Sequence, residues 1–329
     1  MMNTMDEIVN ILVLDDKFGK INSHWAFSTS KLIIIDRIYY DETLFEEKVL
    51  NLINDVSIDA ICFSGRNAIE AELKLKTFLR NKSLNTYMVY AKMKKIMKIH
   101  NTNLSCRINN GSLKMGEIKE KGNDWVKIAL ENPFDCILVQ TYGDAEIINN
   151  YTKCNKAVWV PYTYNDLLYY DRKSKKTVDI GAYFKIERHT HRINFLQRLE
   201  RFAKANHYSF EFSDKYWGEE YAKKISQAKV AVHLSYCGDI PWRLYECAAS
   251  KTCFFTDPLS FNIQRLFSKN CYVEYNRDYS DFEEKLNYLL SNEEYRNRIV
   301  ENAQREVKKY AWSEYADKYI IPIIKNMKE

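Results

Sequence analysis

Arg243 and Glu246 stand three residues apart in a run of good helix formers, Trp242 to Ser250. On a helix that spacing puts both on one face. A polar loop, Tyr236 to Pro241, comes just before and contains Gly238. A helix N-terminus attracts anions, and an arginine fork beside it adds to the attraction. The chemistry on offer is a cradle for a diphosphate. Glu246, one turn further in, is placed to accept hydrogen bonds from a ribose diol. The plain alternative is a surface ion pair between Arg243 and Glu246 on a core helix.

The elements around this pair are those that would position such a loop. Val230 to Leu234 is a short apolar, β-branched run with the pattern of a buried parallel strand. Pro241 suits the first helical position because its φ is already fixed there. Thr252 to Thr256 is a second apolar run. Strand, loop, helix and strand make a right-handed βαβ unit with the loop at the carboxyl end of the first strand. Open α/β sheets bind their ligands at that end.

The segment Arg243-Leu244-Tyr245-Glu246-Cys247-Ala248-Ala249-Ser250, with Phe254-Phe255-Thr256-Asp257 after it, resembles the nucleotide-binding segment of GT-B glycosyltransferases. It is most similar to the spore-maturation, CgeB-type branch, where R-x-[FY]-E-x-x-A-[AS]-G precedes a strand and Thr-Asp. Ser250 stands where that branch has glycine. The resemblance covers residues 155 to 320 well and the first half loosely. It implies an α/β fold of GT-B type, two Rossmann-like domains facing a central cleft. The activity it implies is sugar transfer from a nucleoside-diphosphate sugar, a UDP-sugar for instance.

The resemblance also assigns residues. Gly181 ends the first strand of the second domain, and Arg188 and Arg192 open the following helix as phosphate ligands. A basic helix start opposes the macrodipole unless an anion is present, which favours that role. Tyr216 and Trp217 stand where the nucleotide base docks in the family. Arg243 and Glu246 carry the leaving diphosphate and the ribose. The glycogen-synthase-like retaining enzymes have two glutamates eight residues apart; Glu246 matches the second, and the first falls at Gly238 with Asp239 beside it. An acceptor base, if the reaction inverts, comes from the first domain, with Asp15, Asp16 and His24 as candidates.

Composition sets the outer limits. A chain of 329 residues suggests two domains. A net charge of +5 tolerates an anionic nucleotide or polymer but is far from that of a dedicated nucleic-acid binder. No apolar run has the length of a membrane span. The start, MMNTMDEIVN, lacks the order of a signal peptide, so a cytoplasmic location is expected. The eight cysteines form no C-x-x-C and read as reduced, buried thiols. His189 and His191 have no cysteine nearby, so no zinc site is expected.

The first half reads as alternating strands and helices. Strands are expected at Ile8 to Leu14, Leu32 to Ile35, Asp59 to Phe63, Thr86 to Tyr90, Cys136 to Gln140 and Ala157 to Val160. Helices are expected at Glu46 to Asn54, Ala68 to Arg80, Trp125 to Leu130 and Glu146 to Tyr151. The lysine-rich stretch from 92 to 123 reads as a solvated helix and long loop, or as a contact surface for an anionic acceptor. Residues 1–160 form one domain, 161–177 a linker and 178–312 the nucleotide domain. The last helix, 313–329, is interrupted at Pro322 and crosses back to the first domain.

No D-x-D is present, so no divalent metal and no cofactor are expected; arginine and a helix N-terminus take over the neutralisation. The acceptor is open: a protein, a surface polysaccharide or a modified DNA base. Competing readings are a non-catalytic sugar-nucleotide binder or scaffold, a Rossmann-like phosphatase, and a GT-B-fold sugar-nucleotide epimerase.

Overall fold

The computed structural model describes residues 9–15, 32–39, 44–64, 68–99, 104, 108, 114, 134–141, 143–153, 155–186, 190–235, 240–259 and 263–327. The chain divides into two compact units, Met1–Tyr162 with Trp312–Glu329, and Thr163–Ala311.

The first unit contains β1 (Val9–Asp15), β2 (Leu32–Tyr39), α1 (Phe45–Asp55), β3 (Ala60–Ser64), α2 (Ala68–Lys82) and α3 (Leu84–Lys92). It continues with β4 (Lys94–Ile99), β5 (Cys136–Val139), α4 (Asp144–Thr152) and β6 (Ala157–Trp159). The strands form one parallel sheet in the order β2-β1-β3-β4-β5-β6. Both faces of β1 are buried, which is why its sequence is a nearly continuous apolar run. Leu12 and Leu14 join the core beneath α1 and α2. Val9, Ile11 and Val13 face the other way, onto the end of the chain. That end comprises α10 (Trp312–Tyr315), a π turn (Ala316–Ile320) and α11 (Ile321–Asn326). The π turn falls just before Pro322, whose missing N–H cannot continue a regular helix.

Two expectations in this unit are corrected. The run from Thr86 to Tyr90 is not a strand; it lies in α3. Ser83 caps that helix, its Oγ accepting from Thr86 N at 3.3 Å, while Thr86 Oγ1 donates to Asn54 Oδ1 at 2.7 Å. So short an apolar run does not separate helix from strand by periodicity alone. The lysines from 94 to 98 are not on a solvated helix; they belong to β4, between β3 and β5. Lys95, Ile96 and Met97 are buried, and a lysine stem can be buried while its amine reaches a polar partner. Lys94 Nζ caps the end of α11, donating to Met327 O at 2.8 Å and Ile324 O at 3.3 Å. The helix expected at 125 to 130 lies outside the described residues.

The second unit contains β7 (Val178–Ala182), α5 (Thr190–Ala205), β8 (Phe210–Phe212), α6 (Gly218–Gln227) and β9 (Ala228–His233). Next come α7 (Trp242–Ala249), β10 (Cys253–Thr256), β11 (Val273–Glu274), α8 (Phe282–Ser291) and α9 (Glu293–Val307). The sheet is parallel, in the order β11-β10-β9-β7-β8. Its core is aromatic: Phe255, Tyr275 and Phe282 pack with ring centroids 4.8–5.4 Å apart. The stretch expected as a linker is tied into this unit from residue 163 onward. Thr163 Oγ1 donates to Tyr310 O at 2.6 Å, and Arg172 grips Glu219 through both oxygens at 2.6 and 2.9 Å. Cys62, Cys136, Cys247, Cys253 and Cys271 are buried free thiols. No described helix is long and apolar enough to cross a membrane.

In both sheets the first strand of the unit is flanked by the second and the third, so the winding direction reverses between the first and third strands. Such a reversal opens a crevice at the carboxyl ends of the strands, where doubly wound sheets take their ligands.

Candidate nucleotide-binding site

In the second unit the reversal lies between β7 and β9, and the polar residues singled out by spacing gather there. α7 starts at Trp242 with Pro241 as its N-cap, one position earlier than proline's preference suggested. Arg243 in its first turn opposes the helix dipole, so other groups must hold it. Its Nε donates to Tyr221 Oη at 3.0 Å, and its Nη1 lies 2.9 Å from His233 Nδ1. Tyr221 Oη in turn donates to Glu246 Oε2 at 3.0 Å. Arg243 and Glu246 are therefore joined through a tyrosine hydroxyl, and no direct ion pair between them is found among the described residues. Tyr169 also bonds Glu246. The surface ion pair weighed as the plain alternative is replaced by a partly buried relay.

Burial raises the pKa of the Glu246 carboxyl, while Arg243 and the two tyrosine hydroxyls pull it back. Burial pushes the His233 imidazole well below its usual range, and Arg243 and Arg192 press in the same direction. A guanidinium has only donors. The His233 ring is therefore neutral, Nδ1 accepts from Arg243, and the hydrogen sits on Nε2.

Arg192 joins the group from the first turn of α5. It donates to Leu234 O at 3.0 Å and to Lys185 O at 2.7 Å, fastening the start of α5 to the ends of β7 and β9. Phe184 lies beneath both cations, 5.4 Å from the Arg192 guanidinium and 5.9 Å from that of Arg243. The Thr-Asp at the end of β10 holds the neighbouring strand end: Asp257 accepts from Ser235 N at 2.7 Å and from Ser235 Oγ at 2.5 Å. That fixes the chain where it enters the loop after β9.

Tyr216 and Trp217 differ. Tyr216 Oη is committed to Glu211 Oε1 at 2.9 Å, and Lys224 Nζ lies 5.4 Å from its ring. Trp217 is 58% exposed, with Lys185 Nζ 5.8 Å from its ring. Of the two, Trp217 has the surface a stacking base would need. Gly181 leaves room for a neighbouring aromatic ring. A Cβ there would come within 2.6 Å of the Tyr183 ring, which lies over the strand and reaches Glu211 Oε2 at 3.2 Å. Asp16, His24, Arg188 and Gly238 lie outside the described residues, and so does the whole loop from 236 to 239.

Sequence reasoning misses His233, Tyr221 and Tyr169. His233 is one histidine among six, and spacing raises only a metal role for such residues. Its position at the last residue of a strand before a polar loop is the available signal.

The model of the family described as "Glycosyl transferase-like" matches residues 188–320. No curated protein matches the sequence. Among solved structures, a variant of S. aureus TarM bound to fondaparinux, alpha-GlcNAc-glycerol and UDP is similar at a TM-score of 0.58 and 14% identity. That similarity covers 85% of this chain but only 59% of TarM. HepE of Anabaena in complex with UDP is similar at a TM-score of 0.61 and 10% identity, over 94% of this chain and 98% of HepE. Sucrose-phosphate synthase of Thermosynechococcus elongatus follows at 0.56 and 11%, over 94% and 97%. The fold of this chain is the GT-B α/β fold, built from two parallel sheets.

Proposed function

We propose that this chain is a glycosyltransferase that moves a sugar from a nucleoside-diphosphate sugar to an acceptor. The observation that carries the reading is the Arg243–Tyr221–Glu246 relay, seated with Arg192 where the second sheet reverses. A fixed guanidinium at a helix start stabilises the charge that grows on the diphosphate as the glycosidic bond breaks. Glu246 takes the ribose diol. The match to a glycosyltransferase-like family over the same residues supports this, as does UDP in two of the similar structures. UDP is accordingly the first nucleotide to test, and the CgeB-type branch remains our assignment from the Arg243-to-Asp257 motif. Transfer runs without a divalent metal, because Arg243 and the start of α7 neutralise the leaving group. A cytoplasmic location goes with that donor class.

The test is incubation with a panel of sugar nucleotides, with and without EDTA, followed by detection of free nucleoside diphosphate. Release that persists in EDTA is the expected result. Loss in EDTA with recovery on Mg²⁺ or Mn²⁺ would overturn metal independence. Binding without release would make the chain a passive binder, and a changed sugar nucleotide would make it an epimerase.

A further inference from the structure

His233 is 4% exposed. Its ring stacks on Phe254 at 5.7 Å between centroids and meets Phe184 edge-on at 6.3 Å. A phenyl ring would suit that aromatic slot and carry no polar atom to satisfy. Histidine instead leaves Nε2 buried without a partner among the described residues, and a stranded buried donor is destabilising. The side-chain hydrogen bond it does make is the one that Nδ1 accepts from Arg243 Nη1. The backbone beneath the ring is anchored as well, since His233 O accepts from Tyr275 Oη at 2.7 Å. With Nε on Tyr221 and Nη1 on His233, the plane of the guanidinium is fixed at two points, while Nη2 has no partner among the described residues.

We propose that His233 is a positioning residue acting through Arg243: its neutral Nδ1 sets the plane in which the remaining edge of the guanidinium meets the leaving diphosphate. The proposal rests on the transferase reading above. Its physical content is that histidine is present as an acceptor and not as a ring.

Two substitutions separate those properties. Asparagine at this position carries an acceptor oxygen near the site of Nδ1 but leaves part of the slot empty. Phenylalanine fills the slot and accepts nothing. The experiment measures kcat and donor Kd for a sugar nucleotide that the wild type turns over, and thermal unfolding, in wild type, His233→Asn and His233→Phe. His233→Asn should keep kcat within about threefold. His233→Phe should lose about tenfold or more in kcat, the scale of one charge-assisted hydrogen bond, with a smaller change in Kd. Unfolding temperatures should run the other way, with His233→Phe the more stable variant. Activity that follows stability, or a folded His233→Phe with wild-type kcat, would overturn the proposal. If His233→Asn does not fold, the His233→Phe result alone decides. A wild type that turns over no sugar nucleotide would overturn the transferase reading and this inference with it; an active wild type matched by His233→Phe overturns the inference alone.

Discussion

The two units share the order of their first five strands and one winding reversal but bury charge at different places. In the first, Lys95 enters near the amino end of β4. Its Nζ donates to Met93 O at 3.3 Å and lies 4.7 Å from the Tyr90 ring, and Tyr90 Oη donates to Glu72 Oε1 at 3.3 Å. Burial lowers the pKa of the Lys95 amine and raises that of the Tyr90 phenol. In the second unit, Arg243, His233, Tyr221 and Glu246 gather at the carboxyl end of β9. Perturbed pKa values occur in both places, so perturbation alone does not mark a site. Position along the strands does, because the helices that follow each strand turn their N-termini toward the carboxyl end. Among the described residues, charge at the amino end of β4 has only the fold to hold.

The largest effect that would break this contrast is catalytic. Arg243→Lys keeps the charge but loses the planar fork that Tyr221 and His233 hold at two separate nitrogens. We expect kcat to fall on the order of 10²-fold, more than donor affinity falls, with circular dichroism unchanged. Equal kcat in both proteins would remove Arg243 from the leaving-group role.

A matched pair of carboxylates sharpens the contrast. Glu246→Ala should weaken nucleotide binding by about 1.5–3 kcal/mol, the scale of a charged hydrogen bond, as read by calorimetry. Glu72→Ala strips the partner from the Tyr90 hydroxyl and should cost about 1–3 kcal/mol of unfolding stability, while nucleotide affinity stays at the wild-type value. A shift in affinity on Glu72→Ala would mean that the first cluster belongs to the binding machinery after all.

The smallest effect is on stability at mild acid. The unfolded chain protonates His233 near pH 6.5, whereas the folded chain resists because of burial, Arg243 and Arg192. This contribution is therefore intact above pH 6.5 and is lost as pH falls from there toward the depressed folded value. The slope is up to about 1.4 kcal/mol per pH unit. Denaturant titrations between pH 7 and 5 should show that limb in wild type and a shallower one in His233→Phe. Identical slopes would mean that the folded ring protonates freely.

Much of the second unit is legible in the sequence because its strands are short apolar runs and its helices carry plain amphipathic spacing. β4 is not, because Lys94, Lys95 and Lys98 outnumber the two apolar residues between them, and hydropathy does not register that a lysine such as Lys95 can be buried. α3 is obscured by β-compatible residues that one capping serine commits to helix. At the site, Arg243 and Glu246 are readable from spacing within one helix. Tyr169, Tyr221 and His233 are not, because they arrive from other segments and only the folded sheet brings them within hydrogen-bond reach. Gly181 stands out in the sequence as a place where a missing side chain makes room. The occupant of that room is Tyr183, which nothing local announces.

The closing segment of the chain has a consequence for the order of folding. Tyr315, Ala316, Ile320, Ile321 and Ile324 cover the face of the first sheet made by Val9, Ile11, Val13, Cys62, Ile96, Cys136 and Leu138. Tyr315 Oη fastens the segment to Pro161 O at 2.6 Å. Synthesis normally lets the domain nearest the amino terminus fold first. Here its apolar sheet face waits for residues 315 to 324, which follow the whole second unit in the chain, so the second unit can close while the first still lacks a layer. During that interval the ribosome-bound chain presents a bare apolar surface, and there its exposure to aggregation and its need for chaperones are greatest.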